Sequence, residues 1–151
     1  MPTAYAINDN PLNSNPTAYT LKSIAYTLSP TPMRDHTKLR AFELADEMAL
    51  LIYRHTATFP SEERYGLTSQ MRRCAVSVAS NIVEGCARHT QADYLRFLDI
   101  AFGSVRELEY QISLAKRLNY LDEEIAEQIE TKCIETAKVL NGLISSLRGR
   151  C

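Results

Sequence analysis

From Asp35 onwards, apolar residues return at every third or fourth position, the period of an amphipathic α-helix, and no stretch alternates as a strand would. Leu39, Phe42, Ala45, Met48, Ala49, Leu51 and Ile52 form the first such stripe and predict a helix over roughly 35–57. Pro60 ends that region, and the run PSEERYG reads as a single turn closed by Gly66. A second helix is expected from Thr68 or Ser69 to about Arg88. The third opens at Thr90, where Thr90-Gln91-Ala92-Asp93 has the form of a capping box with Asp in place of Glu. Its stripe runs through Tyr94, Leu98, Ala101, Phe102, Val105, Leu108 and Ile112 to Ala115, and it ends near Asn119. The fourth starts at Asp122, beside two glutamates that suit the positive end of a helix dipole, and carries Ile125, Ile129, Cys133, Ala137, Leu140, Ile144 and Leu147. Short connections between the last three helices make the expected fold all-α, an antiparallel up-and-down four-helix bundle.

The second helix differs from the others. Met71, Ala75, Val78 and Ile82 make one apolar stripe, while Val76, Ala79, Val83 and Ala87 make another about 120° round the helix. A helix in a small bundle needs one buried stripe. Two explanations compete: central packing against three helices of its own chain, or a subunit interface. The interface is favoured, because a small bundle has little interior to spare. On the other flank runs a polar line, Ser77, Asn81, Glu84 and Arg88, in which Glu84 and Arg88 are spaced for an i,i+4 ion pair. Gly85 inside this helix costs about 1 kcal/mol against Ala, so close packing over it is expected. Glu109 falls at the edge of the third helix's core stripe, where an unpaired carboxylate is costly. Arg72, Arg73 or Asn81 are its expected partners. Asn81, Glu84 and Glu109 are therefore assigned to a structural polar network.

Composition changes the picture at the N-terminus. The first 32 residues hold five of the six prolines and two charged residues, Asp9 and Lys22, with the words PTAY and AYTL each occurring twice. Such a segment lacks helical periodicity, so residues 1–33 are expected to be a disordered or spurious extension, with the bundle domain over 34–151 and Met33 reading as its natural start. The whole chain has 17 Lys and Arg against 18 Asp and Glu, and loses one of each with the extension, so the net charge of −1 offers no global attraction to nucleic acid.

Candidate chemistry is sparse. Cys74, Cys86, Cys133 and Cys151 form no C-x-x-C pair and no zinc-finger spacing. Cys74 and Cys86 lie about 18 Å apart along one helix and cannot pair within a chain. They read as free thiols of a reducing cytosol, most of them small core residues. A di-metal carboxylate bundle, the enzymatic alternative, needs Glu-x-x-His on two helices, and none of His36, His55 and His89 has Glu three residues before it. P-loop, G-x-S-x-G and G-x-G-x-x-G motifs are missing too. The expectation is a protein without catalytic residues, metal or cofactor. With no apolar run of about 20 residues and no secretory signal, it is expected to be cytoplasmic and free of the membrane.

The run FPSEERYGLTSQMRRCAVSVASNIVEGCAR, followed by YLRFLDIAFGSVRELEYQISLAKRLNYL and NGLISSL, resembles the four-helix-bundle family of 23S rRNA intervening-sequence proteins, which includes accessory proteins of diversity-generating retroelements. The resemblance covers roughly residues 35–148, with several motifs in order. Ala79 departs from the proline that many members carry there, which should leave the second helix straighter. The resemblance implies a homopentamer without known enzymatic activity and, for the retroelement proteins, binding of a reverse transcriptase and of RNA or DNA through a basic surface. Arg72, Arg73, Arg88 and Arg96 are the nucleic-acid-binding candidates here, with Val76, Ala79, Val83 and Ala87 as the subunit-interface candidates.

Overall fold

Thr90 shows how local chemistry sets the helix ends. Its hydroxyl oxygen accepts from the Asp93 backbone N–H at 3.1 Å, and its O–H lies 2.9 Å from the Asp93 carboxylate. The Thr90 half of the expected capping box is present, with the Asp93 carboxylate meeting the Thr90 hydroxyl, and it starts a helix of 27 residues. In the computed structural model, which describes residues 33–149, four helices follow one another: α1 (Arg40–Thr56), α2 (Leu67–Cys86), α3 (Gln91–Arg117) and α4 (Glu123–Arg148). The expectations about the extension, apart from an exposed Met33, and about Cys151 lie outside the described residues.

Two helix starts differ from the sequence reading. The first helix does not begin at 35. Asp35 instead caps a 3-10 turn, His36–Lys38, accepting from Thr37 N at 3.0 Å, and Leu39 is extended before α1 begins. A short side chain bonding its own backbone two residues on competes with helix formation. α2 begins at Leu67, one residue before the expected Thr68. A 3-10 turn, Ser61–Glu63, brings the Glu63 carboxylate to Leu67 N at 2.8 Å, and Gly66 precedes the helix. The same glutamate accepts from the Tyr120 hydroxyl at 3.1 Å, tying this loop to the α3–α4 loop. In that loop Asn119 adopts φ 58°, the left-handed conformation that stops a helix, and Tyr120 N bonds back to Ala115 O at 2.9 Å.

The helices form a square. Adjacent pairs α1–α2, α2–α3, α3–α4 and α4–α1 pack, while no Cα of α2 comes within 8 Å of α4, or of α1 within 8 Å of α3. The reading of α2 as central to three neighbours is therefore replaced by a helix with two. Leu44, Met48 and Ile52 meet Met71, Val78 and Ile82, Leu98, Val105 and Leu108, and Ile129 and Leu140 in a core from which solvent is fully excluded. Lys132 joins Glu47 at 2.6 Å and Arg148 joins Asp99 at 2.7 Å across neighbouring helices. At such partly exposed sites these pairs set register and contribute little to stability.

Cys74, Cys86 and Cys133 are buried free thiols, as their spacing implied. Burial pushes Cys74 and Cys133 up to about 12 and the Tyr94 hydroxyl up to about 12.

Gly85 is closely packed by α3. A Cβ there would lie 3.0 Å from Phe97 Cβ and 3.1 Å from Tyr94 Cδ2, whereas one at Gly142 would meet nothing within 4 Å. Gly85→Val is predicted to destabilise by about 1–3 kcal/mol through overpacking, and Gly142→Ala to stabilise by about 1 kcal/mol, both read by urea denaturation. Equal effects of the two changes would contradict this packing. The thiols add a pH dependence. A thiol raised in the fold stabilises it below its ordinary value of 9.0, and that contribution is lost as pH rises through the folded value of about 12. The urea midpoint should fall from about pH 9 upward, with a shallower slope in Cys133→Ala. Identical slopes for the two proteins would contradict the assignment.

Candidate functional site

The polar line of α2 turns out to face α3. Ser77 Oγ lies 3.0 Å from Ser104 Oγ, and Cys74 Sγ lies 3.1 Å from Ser104 O. Gln70, Arg73, Cys74 and Ser77 of α2, with Ser104 and Glu107 of α3, line an open polar groove of about 270 Å3. Asn81 donates to Ser77 O at 2.7 Å and to Ser77 Oγ at 3.0 Å, so it bonds its own helix and not a neighbouring one. Glu84 and Arg88 form the expected i,i+4 pair. Beneath the groove Gln111, only 6% exposed, donates to Glu107 Oε1 at 3.1 Å, while its carbonyl oxygen has no hydrogen-bond partner.

Glu109 belongs to another face. Its Oε2 accepts from Arg106, one turn earlier on α3, at 2.5 Å, and its buried Oε1 has no hydrogen-bond partner. Neither Arg72, Arg73 nor Asn81 reaches it. On α3 it sits about 140° round from Ser104, which touches α2, and its charge acts on Cys133 of α4. The structural network assigned to Asn81, Glu84 and Glu109 is three separate local contacts.

The second stripe of α2 points outward. Val76 is 41% and Val83 37% exposed, Ala79 is half-buried and Ala87 is exposed. Tyr53 of α1 extends the strip: it is exposed, and the Arg72 guanidinium stacks 4.8 Å over its ring. Arg72 Nε also donates to Thr56 Oγ1 at 2.9 Å. Among the described residues, Val76, Val83 and Ala87 are left exposed, while Ala79 packs partly against the core.

The four arginine candidates do not form one patch. Arg72 and Arg73 lie near the start of α2, about 24 Å along its axis from Arg88. Arg73 makes no hydrogen bond or ion pair among the described residues. Arg88 and Arg96 share the opposite end of the bundle, stacked 4.6 and 4.9 Å from the Phe97 ring centre. Arg34, which the sequence reading passed over, joins them: it stacks 4.3 Å over Tyr94 and donates to Arg88 O at 3.1 Å. It precedes the first helix, where no periodicity marks a residue for a face.

Among the described residues no three His, Cys, Asp or Glu side chains are grouped to hold a metal ion, and no helix is long and apolar enough to cross a membrane.

Comparison with known proteins agrees with this architecture. The chain is similar to a solved protein of unknown function from the S23 ribosomal protein family of Bacteroides thetaiotaomicron VPI-5482. The two are 24% identical, with a TM-score of 0.64 over 70% of this chain and 95% of that one, a likeness of fold. No curated protein matches. The sequence profile described as 23S rRNA-intervening sequence protein matches residues 37–142, which spans all of α1, α2 and α3 and most of α4. With four antiparallel helices and most of its length matched, the chain belongs to the 23S rRNA-intervening sequence protein family.

Proposed function

We propose that the protein is a non-enzymatic scaffold that assembles as a homo-oligomer through the α1–α2 strip. The observation that carries this reading is the second apolar stripe of α2: Val76 and Val83, with Tyr53 beside them, are exposed on a helix whose other apolar stripe is wholly buried. Apolar surface arranged in a row along a helix is removed from water most economically by a second copy. An assembly larger than a dimer, the pentamer that family resemblance implies, fits this reading. The absence of a role in catalysis is supported by the chemistry of the side chains. Burial holds the Cys74 and Cys133 thiols protonated, and the Thr56 and Thr136 hydroxyls donate to backbone carbonyls one turn earlier at 2.7 Å.

Light scattering at micromolar concentration is expected to give several times the mass of one chain. Val83→Asp should reduce it to the single-chain mass while the helical circular dichroism is kept. A monomeric wild type would contradict the reading.

A second reading concerns partners. The stacked arginines Arg34, Arg88 and Arg96 favour a nucleic-acid contact at that end of the bundle, RNA or DNA, held by phosphates and not by base reading. Arg34 and Arg96 have no acidic partner among the described residues, whereas Arg88 is paired with Glu84. With a net charge of −1, binding by a single chain is weak and falls steeply with salt, and several copies add through multivalency. Titrating labelled RNA and duplex DNA at two salt concentrations should give binding at low salt that Arg34→Glu combined with Arg96→Glu abolishes. Binding that survives the double change misplaces the contact. No binding at low salt leaves a protein partner, such as a reverse transcriptase, as the alternative.

A further inference from the structure

We infer that the α1–α2 strip docks on the outer face of α3 of a second copy, so that copies join head to tail. The inference rests on the assembly reading above and names the surface that the strip meets.

A stripe on α3 that the sequence reading did not single out suggests it. Ile100, Gly103, Tyr110 and Leu118 fall within about 80° of one another, and about 150° from the core stripe of α3. Ile100 is 43%, Tyr110 61% and Leu118 44% exposed. Gly103 is the telling residue. A glycine in mid-helix costs about 1 kcal/mol against Ala, and at Gly85 close packing inside the chain accounts for it. At Gly103 a Cβ would meet nothing within 4 Å, so nothing among the described residues does; Gly142 is as open but lies in no exposed apolar stripe. Between Ile100 and Tyr110 it leaves a notch that a facing helix can enter.

The stripe and the strip are not one patch. The exposed residues Arg73, Ser80 and Glu84 form a polar ridge on α2 between them. A two-fold contact uses one patch against itself, and through the strip it would leave the α3 stripe bare. A head-to-tail contact covers both with a single interface. Heights match as well. Ser77 sits opposite Ser104, and Gly85 opposite Tyr94 and Phe97, so antiparallel counting puts Ala79 level with Gly103 to within a residue or two. Copies related by rotation about an axis parallel to the helices would bring these two small residues together.

Charge is complementary too. Arg72, at the end of the strip, bonds Thr56 and Tyr53, and Glu107, bordering the α3 stripe, accepts from Gln111, and neither makes an ion pair among the described residues. Arg72 and Glu107 lie within about one helical turn of the same height, so each can supply the other's missing partner between copies.

The test uses two variants that each spoil one face, Val83→Asp on the strip and Gly103→Arg on α3, the latter at a position with open space around it. Light scattering should find each variant alone reduced to single chains, with helical circular dichroism kept. An equimolar mixture should give two-chain particles and nothing larger, because each variant retains the face the other has lost. Gly103→Arg assembling as wild type does, or a mixture that stays single-chain, overturns the inference while leaving the assembly reading in place. A monomeric wild type refutes that reading, and this inference with it.

Discussion

The close approach of α2 and α3 governs the rest of the structure. Gly85 has no side chain, so the backbone of α2 there comes down on Tyr94 and Phe97, while the hydroxyls of Ser77 and Ser104 meet two turns away. Contacts this tight fix the rotation of α2 about its own axis. Once that rotation is fixed, the positions of everything else on the helix follow from its period. Met71, Ala75, Val78 and Ile82 enter the core, Ser77 comes to rest on the α3 groove, and Val76 and Val83 are turned out. A bulkier residue at 85 would separate the helices and release that orientation. The exposed strip is thus a consequence of the packing that stabilises the chain, and not a defect in it.

Much of this was legible in the sequence because helical periodicity is a one-dimensional record of burial. The number of helices, the Thr90 cap, the close packing over Gly85 and the angular place of the second α2 stripe all came from spacing alone. Other features are hidden from spacing for a physical reason. A helical wheel gives an angle round one helix and says nothing about which neighbour occupies it. Glu109 was accordingly matched to arginines of α2, although it faces away from that helix and takes Arg106 of its own. Asn81 likewise bonds Ser77 within its own helix, since a partner one turn away is always present and needs no tertiary register. The Glu63 cap escaped notice because a 3-10 turn carries the carboxylate to Leu67 N, a pattern with no spacing rule at the helix start. The α3 stripe was overlooked because Arg96 and Glu107 interrupt its apolar residues.

The candidate site is a pair of surfaces and not a cleft. The Cys74 and Cys133 thiols are buried and held protonated, and the hydroxyls of Thr56 and Thr136 are bonded within their own helices. Exposed apolar area lies on two faces, and a set of arginines is stacked on aromatic rings at one end. Such surfaces gain strength by repetition. Several copies in one assembly would set several stacked arginine clusters side by side, making a weak phosphate contact cumulative. In the reading proposed above, this distribution of surface makes a molecule that works by what it assembles and holds.

The central claim is that the outward stripe of α2 is covered by another copy. It is tested most directly by methyl NMR of the wild-type protein with a soluble paramagnetic probe, comparing Val76 and Val83 with the fully buried Val78. If a second copy covers the stripe, the Val76 and Val83 methyls will be shielded almost as well as those of Val78. Relaxation at Val76 and Val83 as strong as at a freely exposed methyl would contradict the account.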